Sequence, residues 1–159
     1  PDQPYLQDSV VLLVKVCSCH PNIFGLILSG APSNLTLGDV TADASARFPT
    51  FVNASLRAGG PVGPMWATVE PFAATGSIEV TPGLHVGGCL VDLGRRVAAG
   101  LGSASDVSFF SGYIAWPIAR LQEEIEEGKW AVASASASLL LAGLKDNSLS
   151  AAAISATML

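Results

Sequence analysis

From Asp8 to Val16 the chain is dominated by β-branched residues and leucine, and Phe24 to Leu28 is a second apolar run, so apolar and polar positions do not alternate there. Such runs predict strands buried on both faces, with Ser18 to Asn22, containing Pro21, as the connection between two neighbouring strands. From Ser29 to Asn53 the periodicity disappears into Gly, Ala, Pro, Ser, Asn, Thr and Asp, which predicts a long loop carrying at most a short helix near Thr36 to Val40. Gly59-Gly60-Pro61-Val62 predicts a turn, because proline bars the αR region to Gly60. Ser77 to Val80 reads as a short strand and Pro82-Gly83 as a turn. Leu90, Leu93, Val97 and Leu101 recur at helical spacing, with Gly100 and Gly102 placed to end the helix. The clearest helix starts at Pro117, shows Ile118, Leu121 and Ile125 on one face, and ends at Gly128. Lys129 to Ser138 alternates in the period of a strand, and Leu149 and Ala153 give the tail helical spacing.

Composition narrows the classes. At 159 residues there is room for one domain spanning 1–159, with the long 29–53 segment as its loop. Half the residues are hydrophobic, yet no window approaches the roughly 20 apolar residues of a bilayer span, so no transmembrane segment is expected. Only 13% are charged and the formal net charge is -5, which disfavours direct nucleic-acid contact. So few charges beside so much Ala and Leu suggest that a partner covers part of the apolar surface. Three cysteines do not make an even disulfide framework, and a reducing compartment is expected. The chain starts at Pro1 without a charged stretch and cleavage site, so any targeting segment is expected either to have been removed or to lie outside this sequence.

The run from Phe109 to Trp130, FFSGYIAWPIARLQEEIEEGKW, resembles the signature of the AlgH/YqgE family, small proteins often labelled transcriptional regulators. Ser9-Val10-Val11-Leu12-Leu13 resembles the family's opening strand, Gly25-Leu26-Ile27-Leu28 its second and Gly59-Gly60-Pro61-Val62 its central turn, with Gly83-Leu84, Gly87 and Gly88 also matching. The resemblance implies an α/β fold of mixed α+β type, a compact domain with a mixed β-sheet and packed helices. The Phe109-Phe110 pair and the Trp130 to Ser136 stretch resemble plant and algal plastid members more than bacterial ones. That implies a chloroplast home, with the bacterial cytoplasm as the alternative.

The chain also departs from the family pattern. Ser29-Gly30-Ala31-Pro32 stands where relatives have Asn-Arg-Pro, Ala115 replaces a glycine, and Arg120-Leu121-Gln122 replaces Gln-Leu-Glu, while Glu124 is in place. Polar recognition is thus altered while Gly112, Tyr113, Trp116, Leu121 and Trp130 are kept.

Candidate chemistry is sparse. Cys17, Cys19 and His20 with His85 and Cys89 could supply zinc ligands, but strand alternation turns His20 away from the two cysteines, and C-x-C-H is an uncommon spacing. Buried free thiols and a surface histidine are the expectation, and no metal or cofactor is assigned. A cysteine nucleophile would need His20 or His85 as its base. Glu123, Glu124, Glu126 and Glu127 read as a solvated helix face, with Glu124 singled out by the family signature. Tyr113 and Trp116 beside Phe109 and Phe110 read as core, with ligand stacking as the alternative. The function expected is a non-enzymatic interaction or structural subunit of a larger protein assembly, with a small-ligand regulatory module as the alternative and a cysteine-dependent enzyme behind it. Its partner or ligand surface is expected at Gly59, Gly60, Pro61, Tyr113, Trp116 and Glu124, together with Leu35, Leu37 and Phe48 of the long segment.

Overall fold

A computed structural model of the chain describes residues 8–15 and 20–146. Two sheets organise it. The first is antiparallel and three-stranded, in the order β1 (Val11–Val14), β2 (Asn22–Ile27), β9 (Ile114–Pro117). The second has six strands in the order β3 (Pro32–Thr36), β4 (Ser55–Arg57), β8 (Val107–Phe110), β5 (Met65–Val69), β7 (Leu84–Val86), β6 (Ile78–Thr81), and its single parallel pair, β4 with β8, makes it mixed. The helices are α1 (Leu37–Val40), α2 (Ala44–Arg47), α3 (Leu90–Ala98), α4 (Ile118–Glu126) and α5 (Ala137–Asp146).

The unbroken apolar runs are explained by layers on both sides of each sheet. Val14 and Leu26 from one sheet meet Ala67, Leu84, Val86 and Phe110 from the other, and α5 closes this inner core with Leu140 and Leu144. The outer face of the small sheet carries Ile27, Ile114 and Trp116 under Leu121 of α4. The outer face of the large sheet carries Leu56, Val107 and Phe109 under Leu90 and Leu93 of α3 and Leu37 and Phe51 of the long segment. Alternation along the central strands β2 and β8 therefore sends both sets of side chains into a core, whereas the edge strand β3 stays largely exposed.

Two expectations are corrected here. Residues 29–53 are not a bare loop: they form β3, α1 and α2, and Leu37 and Phe51, each 1% exposed, anchor them on their own sheet. The short helix expected near Thr36 to Val40 is α1, whose start is fixed by the Asp39 carboxylate accepting from the Thr36 amide at 2.7 Å and hydroxyl at 2.8 Å. Lys129 to Ser138 is not a strand. Residues 131–136 have no regular structure, because Ala and Ser alternation offers no large side chains to bury and Val132 stays 66% exposed. The tail from Ser148 lies outside the described residues.

Candidate functional site

The residues singled out by the signature converge on a joint between the sheets. Val62 and Tyr113 exchange backbone hydrogen bonds at 3.0 and 2.8 Å, and the Ile27 amide of β2 donates to the Gly59 carbonyl at 3.1 Å. Gly60 sits at φ +147°, and a Cβ there would run into the backbone of Tyr113; a Cβ at Gly112 would meet the Gly60 carbonyl. Only glycine permits this approach of two backbones. Pro61 is exposed at the tip of the turn and Val62 is 40% exposed.

Trp116 is core, at 6% exposure, with its ring over Gly25 and edge-on to Trp130 at 5.8 Å. Glu124 does not share the solvated face of its neighbours. It is 6% exposed, accepts from Trp130 Nε1 at 2.9 Å and pairs with Arg120 Nε at 3.1 Å, so it ties the chain beyond α4 back to the helix. Gly128, at φ +73°, supplies the reversal that brings Trp130 to it. Leu37 and Phe48 are likewise not surface: Leu37 is core and Phe48 packs against the same cluster, whereas Leu35 is 46% exposed.

Tyr113 faces elsewhere. Its ring stands edge-on to Phe24 at 5.3 Å and lines a cleft of about 140 Å³ between the sheets, with Leu26, Met65, Ile78 and Val86. Gly76, Gly87 and Gly88 also line it. A shallower groove of about 360 Å³ runs over Thr50, Asn53, Ser55 and Ser105.

The second polar constellation has no counterpart in the signature. His85, on β7, places Nδ1 3.2 Å from Ser77 Oγ and Nε2 3.0 Å from Glu70 Oε1, with its side chain 12% exposed. The expectation of a surface histidine is corrected for His85, because β5 and β6 flank β7 on both sides. Glu70 and Ser77 lie at the two ends of the β5–β6 connection, which α3 holds in place. Arg96 donates to the carbonyls of Ala73 and Pro71, the latter at 2.8 Å, and lies 5.0 Å from the Phe72 ring centre. One turn earlier, Asp92 accepts from the Thr75 hydroxyl at 2.9 Å.

The zinc reading gains nothing from this geometry. Among the described residues no group of three or more His, Cys, Asp and Glu side chains is placed to hold a metal. Cys17 and Cys19 lie outside the described residues. His20 is tied to its own turn, where Nδ1 accepts from the Asn22 amide at 3.2 Å. Cys89 is exposed rather than buried, since it precedes the first turn of α3.

The family model described as AlgH-like (DUF179) matches residues 2–157. The chain belongs to the AlgH-like family. A UPF0301 protein of Chlamydia caviae is 30% identical over 154 residues, covering 92% of this chain and 75% of that protein. A UPF0301 protein of Chlorobaculum tepidum is 44% identical over 61 residues, covering 38% of this chain and 33% of that protein. With 36% for a Chlorobium luteolum relative, the chain spans about a third of the length of these two curated relatives. The solution structure of the AlgH protein from Pseudomonas aeruginosa superposes with a TM-score of 0.59 at 23% identity, over 87% of this chain and 76% of that one. A crystal structure from Corynebacterium diphtheriae gives 0.57 at 22% identity, over 80% and 66%. At such identities the AlgH-like structures speak for a shared mixed α+β fold. Sequence reasoning missed the Ser77, His85 and Glu70 set because its members come from three segments, and the signals available were only Gly87-Gly88 and a lone histidine in an apolar strand.

Proposed function

We propose that the protein is an interaction module in which the cleft between the two sheets receives one apolar side chain of a protein partner within a larger assembly. The observation that carries this is the cleft's size and lining. Ligand pockets for whole metabolites measure about 300–1,000 Å³, and this cleft of about 140 Å³ is too small for them. A cavity of about 150 Å³ holds a single benzene-sized group. Tyr113, which lines the cleft, and the exposed Pro61 and Val62, the latter bridged to it, then belong to the partner surface for a stated reason, whereas Trp116, Glu124 and Leu37 are buried supports. Of the two settings expected from the sequence, plastid and bacterial, the bacterial organisms of the relatives favour the second.

The test is a cleft-filling substitution. Ile78 is half-buried on the edge strand β6, so Ile78→Phe should fill the cleft at little cost in stability. A partner recovered with the wild-type protein, lost with Ile78→Phe and retained with Leu35→Ser supports the reading. A partner held equally by all three would overturn it. A small-ligand module is the second reading, favoured by the groove of about 360 Å³ with its neutral hydroxyl and amide lining. Metabolite-induced shifts at Thr50 and Asn53 would identify it.

A further inference from the structure

We infer that the partner enters as an extended segment on the free edge of β9, where it exchanges two backbone hydrogen bonds with Ala115 and sets an apolar side chain against Tyr113 and Phe24. The inference deepens the socket reading and rests on it for the side chain, while the backbone bridge is carried by observations of its own. Residues along a strand point their N–H and C=O to opposite edges in turn. The bonds on either side of Ala115 fix which way it points. Tyr113 exchanges both of its groups with Val62, on the edge away from β2, and the Ile118 amide donates to Pro21, just before β2, at 3.1 Å. Between them, Ile114 and Trp116 bond toward β2, opposite Gly25 and Ile23, and Ala115 turns its N–H and C=O outward. The pattern of β2 agrees, since its Leu28 amide turns to Val10 beside β1 and so leaves Gly25 and Ile23 facing β9. Among the described residues none bonds to the outward groups of Ala115.

The open stretch is one residue long. At one end Val62 occupies Tyr113; at the other Pro117 has no N–H, and its carbonyl opens α4. Ala115 and Pro117 are exposed, as are Pro61 and Val62. None of these residues is charged, whereas edges that must stay free are usually guarded by charge. A chain running antiparallel to β9 would extend the ladder that Val62 begins.

Residues directly opposite each other in such a ladder project to the same face. Ala115 lies opposite Phe24, so the bridging residue sends its side chain to the face of Phe24 and Tyr113, two walls of the cleft. Two backbone bonds exchanged with water give little net affinity. The side chain therefore supplies most of it, and the backbone bonds supply direction, as in other added strands. A second copy pairing Ala115 with its own Ala115 would bring only a methyl group to that face. The occupant is therefore a different chain with a large apolar residue at the bridge.

The experiment is an NMR titration of the full chain with the capped peptide acetyl-Ser-Val-Phe-Val-Ser-amide and two N-methylated forms of it. Methylation of the Phe nitrogen removes the N–H that bonds to the Ala115 carbonyl, whereas methylation of the preceding Val nitrogen removes one that faces away from β9. The parent peptide should bind saturably, moving the Ala115 amide proton downfield and slowing its exchange. The N-methyl-Phe form should bind at least about 10-fold more weakly, and the N-methyl-Val form like the parent. Ala115→Pro, which deletes the outward N–H, should lose binding of the parent peptide. If melting curves show that this variant does not fold, the comparison of peptides on the wild-type protein decides alone. No saturable shifts, an unmoved Ala115 amide, or the reverse order of the two methylated forms overturns the inference. Movement of the Ala115 amide on dilution of the protein alone would give the edge to a second copy and also overturns it. Parent binding kept by Ile78→Phe with the Ala115 shift intact would sink the socket and leave the bridge standing. Binding lost with Ile78→Phe yet blind to N-methylation would sink the bridge and leave the socket.

Discussion

The signature joint and the α3 rim of the large sheet are built in opposite ways. At the joint, Gly59, Gly60 and Gly112 let backbones touch, Trp116 covers Gly25, and the buried carboxylate of Glu124 is spent on Trp130 and Arg120. The Glu124 carboxylate, the Trp130 indole and the Arg120 guanidinium are paired within the protein. At the rim, α3 clamps the β5–β6 connection through Arg96 and Asp92, yet among the groups so positioned, Ser77, His85 and Glu70, the buried His85 Nε2 is left without a hydrogen bond. The difference teaches that the most recognisable run of this chain marks packing, while a buried imidazole nitrogen without a hydrogen bond sits where that run is silent.

The contrast can be broken by mutation, and the largest effect belongs to the joint. Trp116→Ala should cost about 3–5 kcal/mol in chemical denaturation, as a fully buried large-to-small change. A loss below about 1 kcal/mol would mean that the indole is not core. Gly112→Ala should follow at about 1–3 kcal/mol or more, since the added methyl meets the rigid Gly60 carbonyl. Glu124→Ala should cost about 1–3 kcal/mol by stranding Trp130 Nε1, and the Arg120 pair adds little because Arg120 is half exposed. At the rim, Ser77→Ala should change stability by no more than about 1 kcal/mol, the scale of one half-buried hydrogen bond. A cost as large as that of Trp116→Ala would erase the distinction between the regions.

The smallest expected effect is one of pH. Hydrogen bonds from the Thr36 amide and hydroxyl hold the Asp39 carboxyl below its ordinary value of 3.8. Its contribution is therefore present above the ordinary carboxylate range and is lost as pH falls through the lowered value. Because the group is exposed, Asp39→Asn should flatten the acid limb of α1 amide protection slightly, with no change near neutrality.

How much was legible follows from where burial leaves a periodic trace. β1 and β2 were readable because both faces are covered, and α4 because Leu121 and Ile125 repeat toward one core. The segment from residue 29 to 53 was misread because Leu37, Phe48 and Phe51 reach their core from separate turns, a spacing with neither helical nor strand period. Lys129 to Ser138 was misread for the opposite reason: its period of two is carried by alanine and serine, which have little apolar area to bury. Tyr113, Pro61 and Leu35 were placed where a partner can reach them, but Glu124 and Trp116 were not, because a family signature does not separate a ligand contact from a packing contact. The His85 set needed the register of β5, β7 and β6, which no local pattern encodes.

The most direct test of the contrast is a benzene titration followed by methyl and amide NMR shifts on the intact chain. The account predicts saturable shifts at Ile78, Val86, Leu26 and the Gly87-Gly88 amides, with Leu121, Ile125 and the Trp116 and Trp130 indoles unmoved. Shifts centred on Trp116, Trp130 and Leu121 with the cleft silent would contradict it, and would return the binding role to the signature.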